Sequence, residues 1–155
     1  MKIISLKNQQ WEKYRRSILN FVKRYDACSD KSNYSWLFHF NKSYLDQPGT
    51  SIQVALWEGK IIAVAAVCDY GTTHSTLIVS PKYTKTQVQI NLYRSLIDEL
   101  GVCYTKIKYD DQLKIKYALR AGLVCFAYVK NTLDETFLWF GGGHWHTNDI
   151  TEKEA

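Results

Sequence analysis

Residues 61–68, IIAVAAVC, are apolar at every position and rich in β-branched side chains. A strand of that composition has no face to turn to water, so it belongs inside a sheet covered on both sides. It follows a second β-rich run, residues 51–57, after only Glu58 and Gly59, the length of connection that closes a tight hairpin. Helices must therefore lie on both faces of a central antiparallel pair.

The flanking sequence supplies them. Residues 2–6 read as a short strand, and Asn8 can cap a helix whose apolar positions Trp11, Tyr14, Ile18, Phe21, Val22 and Tyr25 trace one face. Trp36, Leu37, Phe40, Tyr44 and Leu45 form a second helical stripe over residues 34–45, closed by Pro48 and Gly49. A third strand, residues 74–80, stops at Pro81, and a helix from Lys85 carries Val88, Leu92, Leu96 and Leu100 to a stop at Gly101. Residues 102–109 read as a strand, Asp110 or Asp111 caps a short helix ending at Gly122, and residues 123–129 and 136–140 are the last two strands. Hairpins impose antiparallel neighbours and strand-helix-strand units impose parallel ones, so the expected fold class is α/β in the α+β sense, one mixed sheet of about seven strands flanked by about four helices.

With 155 residues, this is one domain, expected over residues 1–141, with residues 142–155 a flexible tail because three glycines precede a polar end. Eleven tyrosines, six phenylalanines and five tryptophans against 2 prolines indicate large packed side chains and little loop. The formal charge of +5 suits an anionic partner, nucleotide cofactor or nucleic acid, although no nucleic-acid motif is present. No run is long enough to span a bilayer, so no membrane association is expected. Residues 1–16 show no apolar stretch followed by small residues and are expected to be mature sequence, and Cys28, Cys68, Cys103 and Cys125 lack the spacing of a zinc or disulfide framework. A cytoplasmic protein with buried free thiols and no metal is the expectation. His144 and His146 alternate on an extended segment, but no third or fourth ligand is visible.

Three stretches, in order, resemble the GNAT acyltransferase superfamily: VALWEGKIIAVAAV, LIVSPKYTKTQVQINLYRSLIDEL, and DDQLKIKYALRAGL followed by CFAYV. The resemblance runs over residues 1–140 and implies a GNAT fold and an N-acyltransferase using acetyl-CoA as cosubstrate, with an amine of a small molecule or protein as acceptor. It also implies that Val79 lies beside the pantetheine arm and that the backbone of Thr84, Lys85, Thr86, Gln87, Val88 and Gln89 faces the pyrophosphate, since helix-start amides are unpaired and sit at the positive end of the dipole. The family has small residues where this chain has Gln87 and Gln89. For the base, the resemblance points to Asp69 or His74, with Ser75 a lesser candidate; for the acid that protonates the leaving thiolate, it points one residue from Tyr117, at Ala118. A monomer or homodimer is expected. Those departures also define the alternative, a noncatalytic scaffold of the same fold that binds a protein or nucleic acid. Aromatic side chains of the first two helices and last hairpin, Trp11, Trp36, Phe38, Tyr44 and Trp139, with His39 beside them, are candidates for an acceptor wall or for core.

Overall fold

The computed structural model describes residues 1–26 and 34–150. In chain order the elements are β1 (Lys2–Ser5), α1 (Asn8–Tyr25), β2 (Ser51–Trp57), β3 (Lys60–Cys68), β4 (His74–Val79), α2 (Val88–Leu100), β5 (Val102–Lys108), α3 (Gln112–Arg120), β6 (Val124–Lys130) and β7 (Thr136–Gly143). The expected hairpin is present: Glu58 and Gly59 both take positive φ, 51° and 78°, which matches the right-handed twist of β2 and β3. The interior of β3, from Ile62 to Val67, is buried at every position, as a two-sided apolar run requires.

Seven strands form two hydrogen-bonded groups, β1-β2-β3-β4 and β5-β7-β6, with all pairings antiparallel. Alternation along the strands sorts their side chains onto two faces. Ala63, Ala65, Val67 and Leu77 of the first group and Cys103, Ile107 and Phe140 of the second share one core with α2 and α3. On the opposite face, Ile52, Val54, Val64 and Ile78 pack against α1 and against Tyr34, Leu37 and Phe40. The corresponding face of the second group holds a smaller core of Tyr104, Trp139 and Ile150.

Two sequence expectations are corrected. The stripe over residues 34–45 is two 3₁₀ turns, Ser35–His39 and Lys42–Asp46, and not an α-helix. Phe40 is extended between them, and the Asn41 side chain accepts from the Ser43 N–H at 3.0 Å, offering the backbone a local alternative to helix. The tail from residue 142 also differs from expectation through residue 150. Gly141, Gly142 and Gly143 continue β7 opposite Tyr104, Cys103 and Val102, and the following residues dock. These glycines serve close approach: a Cβ on Gly141 would lie 2.7 Å from Trp145, and one on Gly142 would lie 2.5 Å from Ile97. Trp145 stacks on Phe126, Ile150 is buried, and the Tyr104 hydroxyl accepts from the His146 N–H at 2.8 Å and donates to the Asp149 carboxylate. Residues 151–155 and Cys28 lie outside the described residues. Of the other cysteines, Cys103 is buried, Cys68 is partly buried and Cys125 is exposed, so the expectation of buried thiols holds for Cys103 alone among them. No described helix is long and apolar enough to cross a membrane.

Candidate active site

The two sheets meet along β4 and β5, which lie side by side without a backbone ladder. What joins them lies toward the starts of the two strands. Ser75 Oγ donates to Thr105 Oγ1 at 3.2 Å, and Gly71 presses so closely on the Tyr104 carbonyl that a Cβ would lie 1.9 Å from its oxygen. Toward Val79 the strands run on with no pairing between them, leaving a seam whose flanking backbone groups are not used by a neighbouring strand.

At that end the chain turns through Pro81–Tyr83 into α2. The helix starts at Val88, three residues later than its apolar pattern suggests, because the Thr86 N–H closes a turn on the Tyr83 carbonyl. Of the candidate phosphate-loop residues, Thr84 Oγ1 donates to Pro81 O, while Thr86 Oγ1 donates to Tyr83 O and accepts from the Val88 N–H, so both hydroxyls are used locally. Lys85 and Gln87 are exposed at the helix mouth, and Val79 is partly buried at the end of β4. The first helical bond onto this turn runs from the Asn91 N–H to Gln87 O, which leaves the N–H groups of Gln89 and Ile90 without an acceptor in the helix.

Gln89 is turned inward. Its amide donates to the Lys114 carbonyl of α3 at 3.4 Å, and it is a hydrogen-bond partner of the buried Tyr93 hydroxyl, whose other partner is Thr105. Ser75, Thr105, Tyr93 and Gln89 thus form a buried polar chain from the seam to the start of α2. Burial, followed by the nearby Cys103, raises the Tyr93 phenol well above its usual range, so it stays a neutral donor and acceptor. The sequence reading missed Thr105 and Tyr93. The available signal was a threonine at an inward position of β5, between Cys103 and Ile107.

His74 opens β4 on the α1 side of the seam. Its ring lies flat against Trp36, centroids 4.9 Å apart and planes 6° from parallel, and burial lowers its pKa from the usual 6.5. Trp36 is fixed in turn, its Nε1–H donating to Thr76 Oγ1 at 2.9 Å. The Asp69 carboxylate accepts from the Thr72 and Thr73 hydroxyls and shapes the turn before β4. Tyr117 is buried on α3 in the core that reaches Leu77 and Val79, with Lys116 and Arg120 over its ring. His39 is exposed and lines a surface depression with Trp11, Arg15 and Phe40. His146 Nδ1 accepts from the Asn148 N–H, and among the described residues no three His, Cys, Asp or Glu side chains converge as a metal site.

No protein-family model matches the chain, and no curated protein sequence matches it significantly. Solved structures do match in shape. A GNAT-family acetyltransferase from Streptococcus pneumoniae superposes with a TM-score of 0.68 at 12% identity, over 92% of this chain and 99% of that one. Aminoglycoside 6'-acetyltransferase type Ii gives 0.67 at 14% identity, over 92% and 97%. The ribosomal-protein-S18-alanine N-acetyltransferase of Escherichia coli gives 0.66 at 13% identity, over 94% and 95%. The fold is that of the GNAT acetyltransferases.

Proposed function

We propose that this chain is an acyl-CoA-dependent N-acyltransferase that moves an acetyl group from acetyl-CoA to an amine. The observation that carries the reading is the open seam between β4 and β5, with the start of α2 and its spare N–H groups following the unpaired end of β4. Closing the seam would recover a row of backbone hydrogen bonds, so its persistence favours a seam that takes a ligand over the scaffold reading.

The residues present fit the cosubstrate. The inward turn of Gln89 keeps its bulk away from the helix mouth, so the Gln89 and Ile90 amides can face a phosphate, with Lys85 adding charge. Val79 borders the seam for the pantetheine arm. Bound acetyl-CoA supplies a thioester, at which a C–N bond to the amine forms as the C–S bond breaks, giving an amide and the free thiol. His74 takes the proton lost by the amine nitrogen on an imidazole nitrogen, and Asp69 holds the turn that leads into it. On this reading Tyr117, the tyrosine of α3 nearest the expected position, gives a proton to the departing sulfur.

Isothermal titration with acetyl-CoA, paired with thiol-release assays over a panel of amines, tests the proposal. Saturable binding with amine-dependent thiol release is expected. Absence of heat at millimolar acetyl-CoA would leave the fold serving as a scaffold.

A further inference from the structure

We infer that the acceptor is a primary amine borne on a planar aromatic ring; this rests on the acyl-transfer reading above and names its substrate class. Trp36 and His74 make a flat, parallel pair on the α1 side of the seam, and Trp36 is anchored from behind. The Trp36 N–H is tied to Thr76, itself 1% exposed, and its ring meets Phe40 edge-on at 5.9 Å, which in turn meets the buried Trp11 at 5.1 Å. A surface held this rigidly loses little freedom when a third ring is laid against it. His74 is exposed, so one side of the pair remains open to a ligand.

Across the seam the same face carries Lys106, poised 5.5 Å over both the Phe137 and Trp139 rings. That wall is aromatic and basic. Three carboxylates on this side are held by neighbours: Asp69 by Thr72 and Thr73, Asp149 by Tyr104, and Glu12 by Lys42. The lowered basicity of His74 agrees, because it is a weak base for stripping an alkylammonium but sufficient for the proton that an uncharged aromatic amine sheds after attack. In that step the nitrogen lone pair forms the C–N bond, the C–S pair leaves with sulfur, and the nitrogen's proton passes to His74.

The test compares 4-methoxyaniline with 4-methoxycyclohexylamine and spermidine by thiol release from acetyl-CoA. It also follows the His74 ring protons by NMR as 4-methoxyaniline is added without acetyl-CoA. A kcat/KM about tenfold higher for the aromatic amine is expected, the scale of one good ring contact, together with an upfield ring-current shift of His74. Trp36→Leu should bring the three acceptors to within about twofold, while Trp36→Phe, which keeps a ring but loses the bond to Thr76, should retain part of the preference. Equal or reversed preference with no His74 shift overturns the inference and leaves acyl transfer standing. A saturable His74 shift with no acetyl-CoA binding does the opposite: it sinks the transfer reading and supports the aromatic site.

Discussion

The Ser75 and Thr105 hydroxyls, 3.2 Å apart, bridge β4 and β5 where the backbone does not. Thr105 is also a partner of the buried Tyr93 hydroxyl, so one side chain serves both the seam and the core. Thr105→Val keeps the shape and strands both partners. A loss of about 1–3 kcal/mol is expected in urea unfolding, with Thr105→Ser recovering most of it; an unchanged midpoint for the valine variant would contradict the bridge.

The two glutamines at the start of α2 should behave differently. Gln87 is exposed, and Gln87→Gly is expected to cost about 1 kcal/mol or less while tightening acetyl-CoA binding by opening the helix mouth. Gln89→Ala removes the contact to Lys114 O and a partner of Tyr93, so it should destabilise by about 1–3 kcal/mol. Calorimetric titration of both variants, with melting curves, separates the two effects. Lys85→Glu should weaken acetyl-CoA about tenfold through lost charge-assisted contact.

Much of this was legible in the sequence, and the gaps have physical causes. The hairpin at Glu58 and Gly59, the two-sided burial of β3 and the stop at Gly101 follow from local chemistry acting alone. The docked residues after Gly143 do not, because Trp145 and Ile150 find their partners, Phe126 and Tyr104, only once distant strands are assembled. The inward turn of Gln89 was equally hidden: its amide is satisfied by α3, a segment 25 positions away. The stack of His74 on Trp36 was hidden as well, because it depends on a 3₁₀ turn that periodicity read as α-helix.

Burial alone depresses His74, so its NMR titration midpoint should fall below 6.5 and rise toward it in Trp36→Leu. A histidine whose folded pKa is below its unfolded value favours the neutral form, so its contribution to stability is full above 6.5 and is lost as pH falls through the folded value. The pH profile of kcat/KM should accordingly already be flat at neutral pH.

Glu99 at the end of α2 behaves as a tie to the first sheet. Burial pushes its carboxyl up, but hydrogen bonds from Ser51, Ser5 and Gln53, with the charge of Lys7, outweigh this and hold it below the usual 4.5. The stabilisation is therefore present above pH 4.5 and lost as pH falls through the lower folded value. Chemical denaturation at pH 7 should show Glu99→Gln less stable than the parent, and the gap should narrow on acidification; a constant gap would argue against the tie.

Asp69, Tyr70 and Gly71 take three positive φ angles in succession, 54°, 59° and 93°, and the last residue abuts the main chain of Tyr104. The closed end of the seam is thus fixed by backbone against backbone, with the Tyr70 N–H anchored on Gly49 O at 2.8 Å. The closed end of the seam and the proposed acceptor stack are written in separate residues. Substitution at Trp36 or His74 is expected to retune the proposed acceptor stack, whereas any side chain at Gly71 must displace the Tyr104 main chain of β5.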